Sequence, residues 1–178
     1  MDYAFFPPEI NSARMYAGPG AGSLLAAAGS WDSLSAELAT TAESYESVLS
    51  GLDLRWRGAA ADAMAATAAR YVAWLLTTAE QTKQTALQAR AAAAAYEQAY
   101  AMTVPPPAVT ANRTLLASLV ATNVLGQNTA AIAATDAQYA DYWAQDASAM
   151  SGYAAASGAA TKLPRYFSAS QSVNESGL

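Results

Sequence analysis

The chain has 178 residues, 53% hydrophobic and only 13% charged, with a formal net charge of −5 and neither cysteine nor histidine. This excludes disulfides, thiolate nucleophiles and Cys-based metal sites, and it removes the commonest general base and metal ligand. Nine scattered basic residues give no electrostatic footprint for nucleic acid, and alanine-rich windows without alternating β-branched runs point to a single all-α domain.

The first residues, Met1 to Phe6, lack the positive n-region and cleavage site of a signal peptide. Pro7 or Pro8 suits the first turn of a short helix, with Glu9 near its positive end. That segment reaches Tyr16 and is followed by the loop Gly18-Pro19-Gly20-Ala21-Gly22. No strand precedes the loop and no lysine follows it, so it lacks the context of a phosphate cradle.

A long helix is expected from about Ser23 to Asp53. Leu24, Ala28, Trp31, Ser35, Leu38, Ala42, Tyr45, Leu49 and Leu52 recur at alternating steps of four and three, the spacing of a coiled-coil seam. Leu25, Leu34 and Val48 widen that stripe. The chain then bends at Leu54-Arg55-Trp56-Arg57-Gly58, where Gly58 suits a C′ or turn position and Trp56 brings a large ring to the corner. A second helix follows from about Ala60 to Met102, roughly 60 Å long, with Met64, Ala68, Tyr71 and Leu75 on one face. Many of its seam positions are Ala or Thr, which lets another helix approach closely.

Pro105-Pro106-Pro107 breaks the pattern. A third helix is expected from about Ala108 to Val120, then a turn at Asn123-Val124-Leu125-Gly126-Gln127-Asn128, then a last helix from about Thr129 to Ser157. The uncharged run Thr114–Thr135 is long enough to span a bilayer, but its centre holds Asn123, Gln127 and Asn128, which lipid penalises. Residues 1–160 therefore read as an elongated antiparallel helical bundle of about five helices. Residues 161–178 read as a flexible tail leading toward a region outside this chain.

Two long helices with apolar stripes form one layer, and a layer needs a cover. The shorter last helix can cover about half of the pair, which leaves an apolar strip near the Trp56 end or along one side of the pair. A second helical hairpin, from this chain or another, would complete a four-helix bundle. The residues expected at that interface are Leu24, Trp31, Leu38, Tyr45, Leu49, Leu52, Met64 and Tyr71. Val124 and Leu125 have no obvious local core, and pattern alone leaves them either as a helix-cap contact or as a docking site.

Other functions find less support. Glu43 with Glu46, or Asp136 with Asp141, offers paired carboxylates, but such charges usually mark a solvated helix face. No catalytic residue, metal or cofactor is assigned. The alternative of an amphipathic membrane-active helical protein conflicts with polar faces that are acidic or neutral rather than rich in Lys and Arg.

Pro7-Pro8-Glu9, followed by the run Asn11 to Gly20, resembles the N-terminal domain of the mycobacterial PPE proteins, named for that Pro-Pro-Glu. Trp56-Arg57-Gly58 resembles the family's W-x-G motif, and Asn123 to Gln127 resembles the segment between its fourth and fifth helices. The resemblance implies a non-enzymatic protein that pairs with a PE protein, whose two helices complete the bundle on helices two and three. It implies export of the pair by a type VII (ESX) secretion system, so that the protein is made in the cytoplasm and then secreted or held at the cell surface. Trp56 and Gly58 would lie beside the partner's Y-x-x-x-D/E signal. Val120, Asn123, Val124, Leu125, Gly126 and Gln127 would form the tip where a cytosolic EspG chaperone docks. Tyr142 to Asp146 also spells Y-x-x-x-D, but the family places that signal on the partner, so Tyr142 is read as a packing residue.

Overall fold

A computed structural model describes residues 2–169. A 3₁₀ turn at Tyr3–Phe5 leads into five α-helices: α1 Pro8–Tyr16, α2 Gly22–Asp53, α3 Ala59–Met102, α4 Pro106–Ala121 and α5 Thr129–Ala160. The all-α bundle expected from composition and periodicity is the observed fold class. α4 starts at Pro106 rather than Ala108, because a proline in the first turn gives up only an N–H that has no helical partner there. α5 runs past Ser157 to Ala160, since the flanking alanines outweigh the single Gly158.

By its internal packing the chain falls into two compact units. One joins the described residues up to Gly22 with Ala91–Thr161, and the other joins Ser23–Arg90 with the described residues from Lys162. The division falls inside α3. At 44 residues this helix is about 66 Å long, roughly twice the diameter of a small domain, so its two parts belong to different cores.

The first unit is held by buried polar ties as much as by apolar contact. Met15, Ala99 and Met150 form its buried cluster, with Tyr3, Tyr16, Tyr96 and Tyr153 packed around it. Ser12 Oγ donates to Val104 O at 2.6 Å, and Asn11 Nδ2 donates to Tyr3 O and Phe6 O at 3.1 Å. Asn112 Nδ2 donates to Thr135 O at 3.1 Å, joining α4 to α5. In the motif at the start of α1, Pro8 is buried and Pro7 occupies the N-cap. Glu9 Oε2 accepts the Tyr139 hydroxyl at 2.8 Å, and the Arg113 guanidinium lies 3.7 Å over the Tyr139 ring. Burial and the Glu9 carboxylate raise the Tyr139 hydroxyl's pKa.

Asp146 on α5 is fully buried. Its Oδ1 accepts Val104 N–H at 2.8 Å, while Oδ2 has no hydrogen-bond partner among the described residues. Burial pushes its pKa up, and the Val104 bond offsets only part of that rise. Asp146 is therefore a structural tie. The folded state holds its proton more tightly than the unfolded chain does. The resulting penalty is absent below the ordinary carboxylate value and complete above the raised one, so stability falls as pH climbs through that window. Asp146→Asn keeps the acceptor but cannot ionise, and its thermal stability should vary less than the parent's between about pH 4 and about pH 7. Asp146→Ala orphans the Val104 N–H and should cost about 1–3 kcal/mol in chemical denaturation. A parent and an Asn variant with the same pH slope would overturn this account.

Candidate functional site

In the second unit α2 and α3 meet through small side chains. Ala42, Val72 and Leu75 are buried, with Leu38, Leu49, Tyr71 and Trp74 packed against them. Ser35 Oγ donates to Ala79 O at 2.8 Å. Arg90 pairs with Asp32 and holds its carboxyl below the usual value, but such a solvated pair contributes little.

The residues expected to face a partner separate into two groups. Leu38 and Leu49 turn toward α3, because the nearest helix satisfies the middle of the seam first. Leu24 is half-buried, and Trp31 stacks on Tyr166 with centroids 6.3 Å apart. Tyr45, Met64 and Tyr71 instead line an open apolar groove with Ala63, Thr67 and Ala68. An aromatic row runs along it, with Tyr45 edge-on to Tyr71 at 5.2 Å and Tyr71 stacked on Trp74 at 5.6 Å. Leu52 is exposed, as are the flanking Leu25, Leu34 and Val48.

At the bend, Arg55 N–H and Trp56 N–H both bond Leu52 O at 2.9 Å and close α2. The half-exposed Trp56 ring lines a small cleft with Leu49, Leu52, Ala61 and Met64. Gly58 has φ +113°, and its carbonyl accepts Asp62 N–H at 3.0 Å. It therefore opens α3 rather than capping α2, because the turn needs its left-handed residue at the exit. A side chain there would be strained by the backbone alone.

In the first unit, the turn between α4 and α5 is held by its own polar side chains. Gln127 Oε1 accepts Leu125 N–H at 2.9 Å while Gln127 Nε2 donates to Thr122 O at 2.7 Å. Asn123 Oδ1 accepts Asn128 N–H at 2.8 Å, and Asn128 Nδ2 donates to Leu119 O at 3.0 Å and to Thr122 Oγ1 at 2.8 Å. Gly126 supplies a left-handed residue at φ +80°. This scaffold does not cover the apolar residues it carries. Val124 is 83% exposed and Leu125 92%, with Val120 at 57% beside them on α4. A helix-cap contact would bury Val124 and Leu125, so their exposure disfavours that reading.

Residues 2–164 match the profile described as the PPE family. The chain belongs to that family. It is 69% identical over its whole length to the Mycobacterium tuberculosis protein named "Transporter PPE51", of which it covers 47%. It is 61% identical to the PPE family protein PPE15 of the same species, covering 46%, and 56% identical to the PPE family protein PPE45 of Mycobacterium bovis, covering 44%. The chain thus spans about half the length of the curated relatives it matches.

In this PPE domain the motif residues Pro7, Pro8 and Glu9 serve to anchor α1, since Glu9 is committed to Tyr139. Among the described residues no group of three or more metal-ligating side chains comes together, and no helix is long and apolar enough to cross a membrane. Of the tail expected at 161–178, residues 162–168 run without helix along the second unit, and 170–178 lie outside the described residues. Trp74 Nε1 donates to Phe167 O at 2.8 Å, and the Tyr166 and Thr85 hydroxyls are 2.8 Å apart. Sequence reasoning missed this seat; its available signal was Leu163-Pro164-Arg165-Tyr166-Phe167, an apolar cluster in a Ser- and Gly-containing stretch.

The tip scaffold is open to a direct check. Gln127→Ala removes both the acceptor for Leu125 N–H and the donor to Thr122 O, and should loosen the turn by about 1–3 kcal/mol. Amide exchange at Leu125 should speed up by a factor of ten or so while the global melting temperature stays within a degree or two. Unchanged exchange at Leu125 would show that the turn does not rely on Gln127.

Proposed function

We propose that this PPE domain is a non-catalytic docking unit: it forms a heterodimer with a PE protein, is recognised in the cytosol by an EspG chaperone, and is exported by a type VII (ESX) secretion system. The observation that carries the reading is the open groove lined by Tyr45, Met64, Ala68 and Tyr71. A layer of two helices that leaves an aromatic row uncovered calls for another helical layer, and a PE protein's two helices are the cover that family membership points to. Trp56 and Gly58 lie at the closed end of the same helix pair, in keeping with a recognition mark beside the partner.

The tip supports the chaperone half of the reading. A turn whose hydrogen bonds are internally satisfied while two large apolar side chains face water is built to present them. Such a surface needs a covering protein while the chain is still in the cytosol.

Co-expression tests the two surfaces separately. Tyr45 is 43% exposed, so Tyr45→Asp should leave the isolated helix pair folded while placing an uncompensated charge in the heterodimer, and soluble PE–PPE pair should no longer form. Recovery of that pair from Tyr45→Asp would put the interface elsewhere. Leu125→Asp should abolish co-purification with the EspG chaperone and leave the PE pair intact. Chaperone capture equal to the parent's would remove the tip from the account.

A further inference from the structure

The groove does not end at Trp74; a segment of this chain takes it over there. Along α3 the positions Ala68, Tyr71, Thr78 and Thr85 fall at steps of three, seven and seven, which keeps them on one face, and Trp74 lies beside Tyr71 in the aromatic row. From Ala63 to Tyr71 that face lines the open groove. Between Trp74 and Thr85 it carries Tyr166 and Phe167. The Phe167 carbonyl accepts the Trp74 indole N–H, the Tyr166 hydroxyl bonds Thr85, and the Tyr166 ring stacks on Trp31 at an interplanar angle of 21°.

Size decides what this means for a partner. The open part, nine residues of α3 from Ala63 to Tyr71, is about 13 Å long. α2 has 32 residues and is about 48 Å long. A partner hairpin that covers only the open part buries a small fraction of the face, whereas one that runs the length of α2 must occupy the place of Tyr166. The segment's hold is modest, since Tyr166 remains 44% exposed, Phe167 62% and Leu163 57%. It contributes only two hydrogen bonds and one stacked ring, at partly exposed positions. A full-length helix pair buries far more apolar surface and displaces it.

We propose that residues 163–167 form an intramolecular strap that occupies one half of the partner groove and is lifted off when the partner's helices bind. The proposal rests on the PE-pairing reading above. While the strap is seated the groove is only fractionally competent, so the apparent affinity for the partner is reduced by that fraction. Lifting it also frees the stretch of chain that follows α5.

Two strap variants of the full chain test this, neither of which alters the helices: Tyr166→Ala, and replacement of residues 163–167 by a Gly-Ser run. Each is titrated with the PE protein that keeps the parent soluble on co-expression. Both variants should bind about tenfold more tightly than the parent, with the Gly-Ser chain showing the larger gain. In the parent, trypsin cleavage after Arg165 should be faster in the complex than in the free chain. Equal or weaker binding by both variants, or cleavage that slows in the complex, overturns the strap. The two readings fail differently. If Tyr45→Asp blocks pairing while the strap variants are neutral, only the strap is lost. If Tyr45→Asp pairs normally, the groove itself was wrongly assigned and the strap falls with it.

Discussion

The constraint behind the second unit is that two helices packed through alanine bury very little. Ala42 meets Val72 and Leu75 where Leu or Phe would stand in a self-sufficient core. Small side chains let α2 and α3 approach closely, but each buried methyl removes little area from water. The large apolar groups, Tyr45, Tyr71, Trp74 and Trp31, are pushed to the flank of the pair, where they remain half-buried or exposed. A core poor in volume and a flank rich in aromatics are two results of one choice of residues, and together they make the unit dependent on what lies against the flank.

The first unit solves its packing differently. Buried polar groups tie its helices at defined points: Ser12 to Val104, Asn11 to the N-terminal turn, Asn112 to α5, and Asp146 to the chain between α3 and α4. Such ties add specificity more than strength, because each net hydrogen bond contributes about 1 kcal/mol while a misplaced helix would orphan a buried group. The Pro-Pro-Glu motif belongs to this scheme. Pro7 holds the extended N-cap, Pro8 starts the helix at a buried position, and Glu9 reaches Tyr139. The unit is thus a firm mount for the turn that carries Val124 and Leu125.

Periodicity located all five helices to within a few residues, because the apolar steps of three and four in α2 and the punctuation at Gly58, Pro105 and Asn128 are local signals. It could not say which helix satisfies a seam. Leu38 and Leu49 look the same in the pattern as Tyr45, yet the first two pack within the hairpin and Tyr45 faces the groove. The direction of a side chain around a helix that touches neighbours on two sides is a tertiary property. The seat of Tyr166 and Phe167 was hidden for a related reason: Tyr166 meets Trp31 and Thr85, 135 and 81 residues away in sequence, and Phe167 meets Trp74, 93 residues away. No local pattern reports a pairing at that range.

The stretch from Thr114 to Thr135 carries no charge, and the nearest charged groups, Arg113 and Asp136, lie 3.6 Å from each other. The turn itself therefore offers no charge to steer the partner proposed for Val124 and Leu125, and on that proposal the encounter lies near the unsteered regime of about 10⁵–10⁶ M⁻¹s⁻¹. Discrimination at such a knob is made after collision, by the fit of an apolar cavity around two side chains on a stiff turn.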